Sequence, residues 1–346
     1  MAKTVLGIDI GYDSLKLAVV NGKQIRKTAV VPMPNNLLRE GRIVSSETMG
    51  ELIRRTMREH GIRCGQAGLV LSNETVFIRS VTMPLMTIDQ LNYNLPFEFR
   101  DYITDEMKDY LFDYAVVSTT EGSSESEGEA EGGDGEHSGP TMELMAVAAP
   151  KSLLEESREA LHRAGLKLVK AAPTVCAFQA LIRATGNRDA ETPQEYCILD
   201  LGYQAIRMYM FRGDRHMVTR VLELGLNSLD QVISEAYSVD IHLAHTYLLN
   251  NYEDCQSKEY CMNAYGTITV ELMRALNFYR FSNPDSHLED IWICGGGACI
   301  KPLQQSIAET LDLHIHAASE LIPGGASVEQ DYALLQAIGI AMDDRG

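Results

Sequence analysis

The chain has 346 residues, 45% of them apolar and 23% charged, an ordinary globular balance that is too long for one hydrophobic core, so two domains are expected. Its formal charge of −18 includes seven acids between Glu121 and Pro140, where no Lys or Arg stands. The −11 left without them argues against a nucleic-acid surface, which would need a clustered basic face, and gives no polybasic attraction to anionic lipid. Seven cysteines, at 64, 176, 197, 255, 261, 294 and 299, include no CxxC pair, which argues against a disulfide frame or a zinc site and suits a reducing compartment.

The first residues, MAKTVLGIDIGYDS, meet an Asp and two Gly too early for a signal peptide, and no window approaches the ~18 uncharged apolar residues of a membrane span. A cytoplasmic protein without direct membrane insertion is expected. Residues 9–17, DIGYDSLKL, follow the β-rich run TVLGI and read as a strand ending in Asp, a Gly turn and a second strand. Ser46–His60 has amphipathic spacing with Gly61 beyond it, a helix with a C-cap. Gly68–Leu71 and Thr75–Val81 are strand-like. Thr87 and Gln90 fit a capping box for a helix carrying Leu91, Leu95, Phe99, Tyr102 and Ile103, which Pro96 should kink or interrupt.

Strands are expected at 107–117 and 142–148, flanking a Gly/Ser/Glu-rich acidic tract that reads as a disordered hairpin tip over 119–140. A helix follows from Lys151 to Ala164. Residues 200–208, DLGYQAIRM, then repeat the first hairpin 191 positions later: Asp, aliphatic, Gly, Tyr, two residues, aliphatic, basic, aliphatic. Helices are expected at Leu226–Ala236 and Thr267–Phe281, a buried strand at Glu289–Ile293 running into Gly295-Gly-Gly-Ala298, and a closing helix at Gln330–Met342. Alternating strand and helix signals in both halves give an α/β class built from two like domains.

A Gly-turned hairpin offers consecutive backbone N–H groups to phosphate oxygens, and an Asp at the strand end can hold a hydrated Mg²⁺ beside them. An isolated Asp-x-Gly is no more than a tight turn. Two copies with Asp9 and Asp200 converging, plus a glycine run that a flat base could approach, make a candidate nucleotide clamp.

These motifs resemble the actin-like ATPases: GIDIGYDSLK their first phosphate loop, ILDLGYQAIRM their second, and ICGGGACIKPL their adenosine loop. MPLMTIDQLNYNLPFEFRDYI, MELMAVAAPKSLLEESREALHRAGLKL, GLNSLDQVI and the tail QDYALLQAIGIAM are similar to the PilM family of type IV pilus assembly proteins, and the resemblance spans all but residues 119–140. It implies an actin-like (ribonuclease-H-like) duplication with an FtsA/PilM-type insertion. The first domain would comprise 1–81, 169–192 and 327–346, the insertion 82–168 and the second domain 193–326. It further implies ATP or ADP with Mg²⁺, held by Asp9, Gly11, Tyr12, Asp13, Ser14, Lys16, Asp200, Gly202, Tyr203, Gln204, Gly225, Asn227, Gly295, Gly296, Gly297 and Ala298, with Asp9 and Asp200 reaching the metal through water.

The resemblance also implies a scaffold at the inner face of the membrane, docking the N-terminal segment of a PilN-like membrane-anchored protein among other pilus platform proteins, with self-association open. Leu95, Phe97, Phe99 and Tyr102 are the candidate partner residues. Phe97 lies off the helix stripe, so either it edges a peptide groove between the insertion and the first domain or Pro96 turns it into the core.

The second phosphate loop departs from the family, with Tyr203, Gln204, Ala205 and Ile206 in place of small and hydroxyl residues. Pro173, Thr174, Val175 and Cys176 lack the family's acid, Leu226 replaces a Gly, and His242, His245 and Leu248 stand where Glu and Lys are usual. Hydrolysis is therefore expected to be very slow or absent. His242 and His245, three apart, and His314 and His316, two apart, have no third ligand in register and read as ordinary histidines. An active actin-like ATPase or an FtsA-like division protein is the alternative; the latter would need an amphipathic membrane helix after the closing helix, where MDDRG stands.

Overall fold

The computed structural model describes residues 3–120, 139–185, 193–323 and 330–343. The acidic tract expected to be a disordered tip falls mostly outside the described residues. Within them two five-stranded sheets share one topology. In the first, Thr4–Ile10 pairs antiparallel with Ser14–Asn21, which pairs antiparallel with Gln24–Pro32; on its other side Thr4–Ile10 runs parallel to Gln66–Leu71, and that strand to Lys167–Pro173. In the second, Glu195–Leu201, Ile206–Arg212 and Arg215–Leu222 repeat the antiparallel part, and Asp290–Cys294 and His314–Ala317 the parallel part. The duplication extends to register: Asp9 faces Lys16 in one hairpin, and Asp200 faces Arg207 in the other.

Period-two alternation decides what each sheet buries. Cys197, Leu199 and Leu201 point into a core with the helices Asn227–Tyr237, Ile241–Asn250, Glu259–Ser282 and Lys301–Leu311. Tyr196 and Ile198 point the other way, into a layer that both sheets share through the helices Thr174–Thr185 and Asp331–Met342. The first sheet's outer face is covered by Ser46–Glu59 and Lys151–Arg163. The molecule is thus layered helix, sheet, helix, sheet, helix.

The middle layer is tight. A Cβ on Gly7 would lie 1.7 Å from the carbonyl oxygen of Ala337, so only glycine lets the closing helix rest on the first strand. Ser45 caps Ser46–Glu59 by accepting from the Thr48 N–H at 3.2 Å, and Gly61 takes a left-handed φ of +59° just beyond its end.

An inserted three-stranded sheet has Thr141–Pro150 between Phe77–Pro84 and Tyr110–Thr120. Thr87 and Gln90 form the expected capping box of Ile88–Asn94, and the chain continues as a 3₁₀ helix, Leu95–Phe99. Pro96 has no N–H to give an α-helical ladder, which accounts for the change of helix type.

The segment 82–168, expected to be the insertion, divides between two cores. Leu153, Ala160 and Leu161 of the helix Lys151–Arg163 join the first sheet's core, while the insertion's own core draws on Val81 to Ala148. The expected helix at 267–281 begins earlier, at Glu259, and Thr174–Thr185, buried along most of its length, has no polar face from which periodicity could mark it.

Candidate functional site

Both hairpin turns open into one cleft between the two sheets. Asp9, Gly11, Tyr12, Asp13, Ser14, Lys16, Asp200, Gly202, Tyr203, Gln204, Gly295 and Gly296 all line it. The first turn is closed locally, the Gly11 N–H donating to the Ser14 carbonyl at 3.1 Å, whereas the second is held by the following segment, the Leu226 N–H donating to the Gly202 carbonyl at 3.1 Å. Lys16 Nζ lies 3.2 Å from Asp9 Oδ2, and the Gln336 amide donates to Asp200 Oδ2 at 2.8 Å. Burial pushes the Asp200 carboxyl above its ordinary value; Arg207 and Lys16 oppose the shift and the Asp9 charge adds to it. Burial would depress Lys16, but Asp9 and Asp200 outweigh it and hold the ammonium charged. Gly295 adopts φ +85°, and a Cβ there would lie 2.4 Å from Asp200 Oδ1.

Four of the anticipated residues do not line this cleft. Asn227 lies on a neighbouring hollow with Gln204, Arg207 and Glu223. Gly225 is pressed to backbone, with a would-be Cβ 2.2 Å from the Tyr203 carbonyl oxygen. Gly297 and Ala298 are buried. The Leu226 methyls cover the glycine shelf: Cδ2 lies 2.8 Å from where a Gly297 Cβ would be, and Cδ1 3.5 Å from that of Gly296.

Several bridges span the cleft that the sequence reading did not anticipate. Glu74 of the first half accepts from Arg207 of the second and, at 3.0 Å, from the Tyr12 hydroxyl. Burial and the Glu74 charge push the Tyr12 phenol up to about 12. Asn73 donates to the Tyr209 hydroxyl at 3.2 Å. His245, read from sequence as an ordinary histidine, contacts Asp13 Oδ1 through Nε2 at 2.8 Å and Asp230 Oδ2 through Nδ1 at 2.9 Å. Burial opposes its charge, but the hydrogen bonds to Asp13 and Asp230 prevail and lift its pKa to about 9. One turn earlier on the same helix, His242 lies 3.3 Å from the Asn35 amide.

The donor set suits a nucleotide at one end only. Asp9, Lys16, Asp200 and the Gly11 turn have the chemistry for phosphates and a hydrated cation, although among the described residues no three His, Cys, Asp or Glu side chains converge as metal ligands. At the shelf a base would meet Leu226, and the cleft's free volume is about 100 Å³, below the roughly 300–1,000 Å³ of small-molecule sites. As it stands, the site does not fit a whole nucleotide.

A second concavity, about 690 Å³ and lined mainly by apolar groups, runs between the insertion and the first domain. One wall is Leu111–Ala115 of the strand Tyr110–Thr120; the other is Val169–Pro173 of the strand Lys167–Pro173. Among the described residues both are edge strands, each paired on one side only. Met145, Val147 and Ala149 form the floor.

The expected partner residues lie elsewhere. Leu95 and Phe99 are buried in the insertion's core with Met142, Leu144, Ala146 and Ala148, the alternate residues of the strand that floors the groove. The helix carrying Phe97, with the turn after it that carries Tyr102, therefore covers the opposite face of that sheet. Phe97 is exposed, edge-on to Tyr93 and beneath the Arg100 guanidinium, and Tyr102 is likewise under Arg79.

A family model described as type IV pilus assembly protein PilM matches residues 7–342. Among solved structures, a PilM–PilN type IV pilus biogenesis complex is similar at TM-score 0.80 and 24% identity, over 99% of this chain and 98% of that one. The ethanolamine utilization protein EutJ of Carboxydothermus hydrogenoformans follows at TM-score 0.58 and 13% identity, over 99% and 90%. MreB 5 of Spiroplasma citri, described as bound to AMPPNP, is similar at TM-score 0.52 and 12% identity, over 98% and 95%. The fold is actin-like, as its duplicated sheets require.

Proposed function

Because the chain belongs to the PilM family of type IV pilus assembly proteins, we propose that it is a cytoplasmic scaffold of the inner-membrane pilus platform, whose groove takes the N-terminal cytoplasmic segment of a PilN-like membrane-anchored protein. The groove between two edge strands carries this reading. An extended peptide laid there pairs its backbone with the open edge of Tyr110–Thr120, of Lys167–Pro173 or of both, and its alternate side chains reach the apolar floor. The complex of a similar protein with PilN agrees in kind. Among the described residues no helix is long and apolar enough to cross a membrane, so the partner supplies the attachment, and other platform proteins or a second copy gather around it.

ATP or ADP with Mg²⁺ is secondary in this reading. Asp9, Lys16 and Asp200 could meet phosphates, but Ala205 and Ile206 offer no hydroxyl and residues 173–176 no carboxylate to activate water. Turnover is absent or very slow, and phosphate release above a heat-denatured control that Asp200→Ala abolishes would overturn that point.

The groove is tested by fluorescence anisotropy with a labelled peptide copying the cytoplasmic N-terminus of the PilN-like protein of the same organism. Val169→Asp, at an exposed wall position, should weaken binding at least about tenfold through one buried charge, whereas Phe97→Ala should leave it unchanged. Equal binding by Val169→Asp, or loss of binding with Phe97→Ala in a folded protein, would move the site.

A further inference from the structure

We infer that this chain closes its cleft with its own side chains, the Asp13–His245–Asp230 clasp and Leu226 standing where a nucleotide would otherwise join the two halves. The clasp crosses the molecule. Asp13 belongs to the first hairpin, whereas His245 and Asp230 lie on two helices that pack on the second sheet. Asp230 is fully buried, and its other carboxylate oxygen, Oδ1, has no partner. His245 is the partner of the Oδ2 oxygen, at 2.9 Å. The His245 ring is held from its side by Tyr203, edge-on at 5.3 Å, so the residue that adds bulk to the second hairpin also orients the clasp.

Closure is then complete at the shelf. Asp13 Oδ2 comes within 3.9 Å of where a Gly296 Cβ would be, while the Leu226 methyls fill the shelf beside it. Asp13 and Leu226 thus occupy from opposite halves the space in which a base and ribose would lie. The energetic consequence is that the closed form needs no ligand. A nucleotide gains affinity for a protein only through the state it fits, and here that state requires Leu226 to leave a buried position and the clasp to part.

The full chain is compared with and without ATP and Mg²⁺ by thermal melting and by hydrogen–deuterium exchange of residues 9–16 and 241–250. The unaltered protein should melt within about 1 °C of itself at millimolar ATP–Mg²⁺, and exchange in both segments should not change. A rise of several degrees, or added protection, would overturn the inference. His245→Ala should speed exchange in both segments about tenfold or more without nucleotide. If that variant does not fold, Asp13→Ala, which removes the acceptor facing His245 Nε2 but leaves the Asp230–His245 pair in place, serves the same comparison. Exchange as slow as in the unaltered protein, in whichever of the two folds, would show that the clasp does not hold the halves together.

Discussion

Gly339 lies so close to Ala177 that a Cβ on it would sit 2.2 Å from the Ala177 carbonyl oxygen. The two helices of the middle layer meet there backbone to backbone. Gly339→Ala should therefore destabilise the protein by about 2 kcal/mol or more, although alanine in a helix interior is worth ~1 kcal/mol over glycine by propensity alone. Urea denaturation checks the sign, and a stabilised variant would mean that the helices can part at little cost.

The clasp has a pH signature. His245 is lifted from an ordinary 6.5 to about 9, so its contribution is complete below the unfolded value and is lost as pH rises through the folded one. Burial would raise the Asp13 carboxyl, but the His245 hydrogen bond and charge, with Lys16 assisting, lower it; Tyr203, pushed up to about 12 by burial and Asp230, stays neutral across the window. Stability should fall by on the order of 2–3 kcal/mol between pH 6.5 and 9, and His245→Gln should flatten that slope. Denaturation midpoints across the range decide it.

Thr87 caps Ile88–Asn94 by accepting from the Gln90 N–H at 3.3 Å, and the Gln90 side chain accepts from the Thr87 N–H at 3.0 Å. Thr87→Ala should cost about 1 kcal/mol. The loss should appear as faster amide exchange in residues 88–99, with the two large sheets unaffected. Uniform acceleration across the chain would mean that the insertion does not open on its own.

Five of the seven cysteines are buried, and Cys64 and Cys299 are half-buried. Burial pushes the Cys197 thiol up to about 12, which leaves little thiolate for alkylation. Brief maleimide treatment of the native protein should label Cys64 and Cys299 first, with Cys197 reacting only on denaturation. Peptide mass mapping reads the order, and early labelling at Cys197 would mean that the second sheet opens readily.

Asp9 and Asp200 are legible as a pair because a strand that must end, turn and return leaves a local pattern, and the chain carries that pattern twice. The capping box at Thr87 and the glycine stop at Gly61 are legible for the same reason, since each is decided within four residues. His245 is not, because its carboxylates come from positions 13 and 230 and only the folded layers bring them together. Glu74 likewise acquires its role from Arg207, 133 residues away. The surroundings of Phe97 are out of reach for a related reason. Its exposure off the helix stripe is a local fact, whereas the face of the inserted sheet that the helix covers is settled by which alternate residues of Thr141–Pro150 turn toward it.

The contact of Gly7 with Ala337 has a consequence for how the protein is made. The first strand leaves the ribosome some 330 residues before the helix that covers it, a wait of about 17–66 s at ~5–20 residues per second. Through that interval Ala18 and Val20 of the hairpin, and through its second half Val175 and Phe178 of the helix that joins them in the finished middle layer, lack their last apolar cover. Low expression temperature or added chaperone should therefore raise the yield of folded chain, more than would changes to its well-covered outer faces.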